Sequence, residues 1–538
     1  MSSKAHLNQA IVSHLLEMKA DDFPDKEILV FEKGAHGEDI LTYQDLYKSA
    51  NKIARLFLSG GIEKGDTYAV FMRNHPEYVY AMLAGPVIGA VMVPIDPRSR
   101  GERLKYLLQN AAVKAVIVSD ECLTPLSEII DDVPGIKMVC VAYREEHNIE
   151  VSSRYPALNE TLQQDTWEKV DQQIMDVRQP MQIIYTSGTT GAPKGVMIRN
   201  NRFGLFVIAT RLVWRYKPTD ILYSGLSLTH GNAQAVTLFP AIATGTKAVF
   251  SPRFTKSRIW DICRKYGCTS FSLLGGMMAG IFNEPEKEDD GDNPVKTVIS
   301  AGTPPVIWES FENRFDVKIL EWYGAVEGGF AYKPPGKGPI GSFGKPLPGM
   351  MEFRVVDDDD HEVPHGQTGE LILRMTRGET KVDYLGKPED SKDKTRGGWL
   401  RTGDIVHRDE AGWYFFDYRK GTELRRAGDF IQPDHIEKVI GEQPDVSEVC
   451  VYGIPAASGA PGESDLVAAV APFADRSVDP AEIFAKCQRD LEPNFIPSYL
   501  QIVEKIPKTI SEKALDRELR KAFAPDGEAV YRFEDFRA

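Results

Sequence analysis

The chain has 538 residues, of which 42% are hydrophobic, 26% charged and 10% aromatic. That excludes a collagen-like, a disordered or a small disulfide-stapled protein, and the length holds one large core plus at least one further domain, as in a large globular enzyme. Asp and Glu number 78 against 64 Lys and Arg, a formal charge of -14 with no long basic stripe, so no nucleic-acid partner is expected.

The opening MSSKAHLNQAIVSHLLEMKA lacks the apolar core of a signal peptide, and about twenty apolar residues never run together. No integral membrane association and a cytoplasmic location are therefore expected. Thr42 is a candidate N-cap for the helix TYQDLYKSANKIARLFL, which Gly60-Gly61 stops. A strand TYAVFM, a helix from Pro76 to Leu83, a strand AVMVPI, a helix RGERLKYLLQNA and a strand KAVIVS follow. The same alternation returns at 221–250, 256–274 and 295–320, the mark of a layered α/β body. The cysteines Cys122, Cys140, Cys263, Cys268, Cys450 and Cys487 form no CxxC pair and no metal-ligand cluster, so buried reduced thiols are expected.

After residue 340 the texture changes. Short strands, MEFRVVD, GELILRM and GWYFFDY, alternate with Gly- and Asp-rich turns and suggest a small β-rich subdomain. The tail then reads DHIEKVIGEQ as helix, SEVCVYGIP and LVAAVAPF as strands, PAEIFAKCQRDL as helix and SYLQIVEKI as strand, a compact α+β domain. Composition puts a body at 1–416, a hinge at 417–421 and a tail domain at 422–538.

The strongest local signal is IIYTSGTTGAPKG, 183–195. An apolar strand ends in a run of small and hydroxylated residues. Gly188, Gly191 and Gly195 permit backbone conformations whose amides converge on an anion. Thr186, Ser187, Thr189 and Thr190 add hydroxyl donors, and Lys194 adds a mobile positive charge. The chemistry suits nucleotide phosphates, yet the GxxxxGK[ST] spacing of a Walker A loop is absent.

This segment resembles the phosphate-binding loop of the adenylate-forming superfamily, which includes acyl-CoA synthetases, luciferases and peptide-synthetase adenylation domains. Further segments agree in order. SAGTPP, 300–305, with Gly302, is similar to the loop beside the adenine and acyl pocket. YGAVEG, 323–328, resembles a YGxTE element in which Tyr323 and Gly324 border the adenylate and Glu327 helps hold Mg2+, with Thr186 as a second metal contact. WLRTGD, 399–404, resembles the element whose Asp404 binds the ribose hydroxyls, with Arg419 as another ribose contact. Gly428 matches a glycine of the thiol-side tunnel, and Lys513 matches the catalytic lysine of the C-terminal domain. His230, in SLTHGNAQ, is similar to a residue beside the acyl pocket that gates access. Trp322 fits a pocket wall or a core face equally.

The resemblance implies a ligase that uses ATP, Mg2+ and coenzyme A. A carboxylic acid becomes acyl-AMP with release of pyrophosphate, and the CoA thiol then takes the acyl group. The tail domain would pivot between the two steps. The texture is most similar to acyl-CoA synthetases of the crotonobetaine/carnitine-CoA ligase and medium-chain type. Two alternatives stand: an adenylating enzyme that loads a separate carrier protein, and a weakly catalytic adenylate-binding regulator. Val326 in place of Thr, Glu512 in place of Gly, Asp516 nearby and Gly421 at the hinge depart from the pattern. The acyl pocket is expected from 229–236, 272–278, 300–304 and 325–331, small and apolar stretches that favour a neutral tail. Homo-oligomers are common in such enzymes, but no coiled-coil or repeat pattern points to one here.

Overall fold

The computed structural model describes residues 7–143, 155–186, 193–420, 424–426, 429–431, 433–456, 464–491, 493–509 and 514–536. It is a large mixed α/β body followed by a smaller α+β unit.

The expected N-cap is present. The Thr42 hydroxyl accepts from Asp45 N and the Asp45 carboxylate accepts from Thr42 N, a reciprocal cap that opens the helix Tyr43–Ser59. The next helix runs past the expected Leu83, through Gly85 and Pro86, to Ile88. Every residue in it is buried, so packing overrides the two breakers. Gly85 is needed where it stands, because a Cβ there would overlap the Tyr68 ring.

Two sheets organise the body. In the first, the strands Met138–Ala142, Val113–Ser119, Thr67–Phe71, Val91–Ile95 and Pro180–Thr186 lie parallel, and Lys194–Arg199 pairs antiparallel with the last. The phosphate-loop motif therefore leaves the carboxyl end of a parallel strand, where open α/β sheets place ligands. The second sheet has thirteen strands. Its parallel part holds Ile221–Ser224, Ser270–Leu274, Thr297–Ala301 and Lys318–Tyr323. Antiparallel pairing then continues through Ala331–Lys333 and Ser342–Pro346 into Tyr414–Arg419, Leu400–Arg408, Gly369–Met375 and Met351–Val356. The β-rich region after 340 is thus hydrogen-bonded to the α/β layer without a break.

The tail unit has a four-stranded sheet, Val446–Pro455, Ser464–Pro472, Tyr499–Ile502 and Val530–Arg532. Ile436, Ile440, Leu466, Phe484 and Leu500 form its own core. All six cysteines are free and buried. Among the described residues no helix is long and apolar enough to cross a membrane.

Candidate active site

The two sheets deliver their site residues to one place. Thr186 and Lys194 are register partners, so the hairpin brackets the phosphate loop. Ser187, Gly188, Thr189, Thr190 and Gly191 lie outside the described residues, as do Gly421, Gly428, Glu512 and Lys513. At the hairpin mouth the Thr186 hydroxyl is 3.5 Å from Glu327 Oε1. Glu327 sits in a tight turn closed by reciprocal bonds between Ala325 and Gly328, each 3.1 Å.

Tyr384 completes the group and was not legible as a site residue. Its hydroxyl donates to Glu327 Oε1 at 3.1 Å. Burial, then the Glu327 carboxylate, hold the phenol above its usual value, so it remains a donor. The chain at 383–385 runs along the hairpin edge, with Met197 N donating to Asp383 O and Leu385 N donating to Gly195 O. That edge pairing fixes Tyr384 beside the loop. Lys194, expected as a mobile cation, pairs with the part-exposed Asp390 at 2.8 Å and stands 5.2 Å from the Tyr384 ring centroid.

Tyr323 donates its hydroxyl to Asp404, and Arg419 Nη1 lies 3.3 Å from the other Asp404 oxygen. Asp404 and Arg419 are register partners on adjacent strands, which accounts for the second contact. Asp404 is buried, and burial followed by its charge holds the Tyr323 phenol far above the usual value.

Gly302 adopts φ +81° at the turn after its strand, and Gly275 packs so close that a Cβ there would overlap the Gly302 carbonyl. The turn is fastened by Glu321, another residue the motifs do not mark. Glu321 accepts from Gly302 N at 2.5 Å and from the Thr303 hydroxyl at 2.6 Å. Burial pushes its carboxyl up to about 7, against those hydrogen bonds. A Glu between Leu320 and Trp322 in a buried strand was the available signal.

Lys394, half-buried at the end of the helix Pro388–Lys394, donates to Thr402 O at 3.3 Å. Burial holds its ammonium below the usual value, and Glu327, Glu370 and Asp404 partly offset this while Arg419 adds to it. Its charge is therefore felt by the carboxylates of both Glu327 and Asp404.

His230 accepts from Asn232 N at 3.2 Å within its own turn and is half-buried. Trp322 packs with Trp214 and Phe330 at centroid distances of 5.6 and 5.9 Å, a core face. Asp516 pairs with Arg520 at 3.0 Å on its own helix. A larger cleft, about 910 Å³, contains the ion pairs Arg258–Glu32 at 3.2 Å and Arg73–Glu121 at 3.4 Å. A second cavity, about 600 Å³, touches the Glu327 turn and shares only 325–331 among the stretches expected for the acyl pocket.

The profile of AMP-binding enzymes matches residues 16–378, and that of the AMP-binding enzyme C-terminal domain matches 435–513. The chain belongs to the AMP-binding enzyme family. It is an enzyme of the AMP-forming acyl-CoA synthetase superfamily. Crotonobetaine/carnitine-CoA ligase of Salmonella typhimurium is 26% identical over 507 residues, covering 93% of this chain and 96% of that protein. The Salmonella typhi ligase of the same name is 26% identical over 511 residues, with the same coverage. Among solved structures, the anthranilate CoA ligase AuaEII in complex with anthranoyl-AMP aligns with a TM-score of 0.83 at 21% identity, over 97% of this chain and 99% of that one. A benzoate CoA ligase from Burkholderia xenovorans aligns with a TM-score of 0.82 at 20% identity, over 95% and 99%. These two likenesses establish a common fold.

Proposed function

We propose that this AMP-binding enzyme is a carboxylate-CoA ligase that forms acyl-AMP and then acyl-CoA. In the first step a carboxylate oxygen attacks the α-phosphorus of ATP, the bond to the bridging oxygen breaks, and pyrophosphate leaves. In the second, a CoA thiol attacks the acyl carbon, loses its proton and expels AMP. A carboxylate is already a nucleophile, so alignment and charge cancellation are what the protein must supply.

The observation that carries this reading is convergence. Thr186, the segment from Tyr323 to Glu327, and the strand pair carrying Asp404 and Arg419 come from three distant parts of the sequence and meet through the Thr186–Glu327, Tyr323–Asp404 and Asp404–Arg419 contacts. Asp404, fixed by two donors, would accept the ribose hydroxyls with Arg419 beside it. Tyr323 and Gly324 would border the adenylate, and Gly302 in its Glu321-fastened turn would face the base and acyl group. The phosphate loop from Thr186 to Lys194 would hold the phosphates, and Lys394 would add a cation between the metal side and the ribose side. Lys513 would join the carboxylate to the α-phosphate, and His230 would wall the acyl pocket.

Among the described residues no three His, Cys, Asp or Glu gather into a metal cluster. A hydroxyl and a carboxylate, Thr186 and Glu327, nevertheless suit Mg2+, which takes most of its ligands from phosphate and water. Bound there, the ion would neutralise phosphate charge.

We further read 1–416 as the body, 417–421 as the hinge and 422–538 as a tail that turns between the two steps, bringing Gly428 to the thiol side. The stretch between the two family matches, after 378 and before 435, contains that hinge. The two Salmonella relatives are CoA ligases by name, which favours CoA as acceptor. The test is product analysis with Mg-ATP, a panel of acids and free CoA. Acyl-CoA supports the reading; accumulation of acyl-AMP without thioester replaces CoA with a carrier protein as acceptor.

A further inference from the structure

The cavity of about 600 Å³ beside the Glu327 turn is of a size that small-molecule sites occupy, roughly 300–1,000 Å³. Of the nucleotide-site residues it takes in Glu327, and its lining includes neither Thr186, Tyr323, Tyr384 nor Asp404. Part of its wall is apolar and adaptable, with Met197, Phe206, Met350, Met351 and Met375. Unbranched, polarisable methionine side chains conform to a flexible alkyl chain better than branched ones do.

At the Glu327 end stands Arg202, from the helix Asn200–Ala209. One of its Nη atoms donates to the carbonyl oxygens of Val326 and Glu327, at 3.1 and 3.5 Å. Among the described residues the guanidinium makes no other hydrogen bond and no ion pair, although it carries five N–H donors. Burial opposes its charge, and only Glu327 offsets that. At the rim, Arg199 and Lys381 share the single carboxylate of Asp383. The cavity thus joins an apolar stretch to a lining in which Arg178, Arg199, Arg202, Arg377 and Lys381 outnumber Glu327, Glu379 and Asp383.

We propose that this cavity binds an amphipathic monoanion of the fatty-acid type, its head on Arg202 and its unbranched chain along the methionines, at a second site that meets the acid-activating one only at the Glu327 turn. A part-buried guanidinium set against backbone carbonyls gains from an anion that fills its free donors. An alkyl chain covers the apolar wall at the same time. This inference stands apart from the proposed reaction, because nothing in it requires ATP chemistry.

Decane-1-sulfonate, used below its micellar concentration, is the probe, since it has the tail and the charge but no carboxylate to adenylate. Calorimetric titration of the full chain should show saturable binding of one sulfonate per chain. Arg202→Gln and Met350→Trp should each weaken it at least tenfold, decyltrimethylammonium should not bind, and saturating AMP should leave the sulfonate in place. AMP binding by each variant verifies that it is folded. Absence of saturable binding, equal binding of the ammonium, undiminished binding in both variants, or displacement by AMP would each overturn the proposal.

Discussion

The hydroxyl of Tyr323 donates to the carboxylate of Asp404, so the strand end that leads into the Glu327 turn is tied to the strand Leu400–Arg408. Asp404 is also 3.3 Å from Arg419, and these two partners aim a buried carboxylate in one direction. Asp404→Asn keeps the shape and removes the charge. Hydrogen bonds to charged groups contribute about 1.5–3 kcal/mol, so the KM for ATP should rise roughly ten- to hundredfold. Steady-state kinetics across ATP concentrations check this; an unchanged KM would remove Asp404 from the ribose.

Lys394 is the cation expected to matter beyond the motifs. Lys394→Met should lower kcat/KM for ATP at least tenfold, and Lys394→Arg should restore much of it. Burial holds the Lys394 ammonium below its usual value, so the parent should lose activity on the alkaline side as that proton leaves. Arginine does not deprotonate in this range, so that alkaline limb should move upward in Lys394→Arg. A pH profile identical in the parent and the Arg variant would contradict the role.

Lys194 and Asp390 are both part-exposed, at 32% and 42%, so their ion pair contributes little stability. Asp390→Asn should change unfolding free energy by less than about 1 kcal/mol. It should also release Lys194 toward the phosphates and lower the KM for ATP, more at low salt than at high. Thermal unfolding and kinetics at two ionic strengths separate the two effects. A large loss of stability with no change in KM would mean the pair is structural.

The residues legible in the sequence were those whose order is itself unusual. TSGTTGAPKG, YGAVEG and WLRTGD could be recognised before any contact was known, and the structure brings their described members together. Lys394 was not legible, because PEDSKDK reads as an exposed charged helix, and only packing decides that Lys392 faces water while Lys394 turns inward. Tyr384 was hidden for a related reason: its place depends on the edge pairing of 383–385 with the hairpin. The helix stop expected at Leu83 yielded to burial, since a fully buried helix gains more from packing than Gly85 and Pro86 cost it. The alternation of short strands after 340 suggested a small β-rich subdomain of the body, and the ladder through Ser342–Pro346 shows how it is joined to the main sheet.

In the tail unit, burial pushes the Glu437 carboxyl up from 4.5 to about 8, although Val451 N donates to it at 2.7 Å. Between those values the folded chain holds a proton that the unfolded chain has released, so stability falls as pH rises. Glu437→Gln keeps the acceptor for Val451 N and removes the titration. Its unfolding temperature should match the parent near pH 4.5 and exceed it near pH 8.5, by about 2–4 °C for each kcal/mol recovered. Parallel melting curves across that range would contradict the burial assigned to Glu437.

The most direct measurement is pyrophosphate release with Mg-ATP over short, medium, aromatic and betaine-like acids, with CoA present and absent. The expected result is release that depends on at least one acid, proceeds without CoA at a low level, accelerates with CoA, and falls sharply in Lys513→Ala. Tight AMP binding with no acid-dependent pyrophosphate release from any of these acids would contradict the ligase reading and leave a nucleotide-binding regulator in its place.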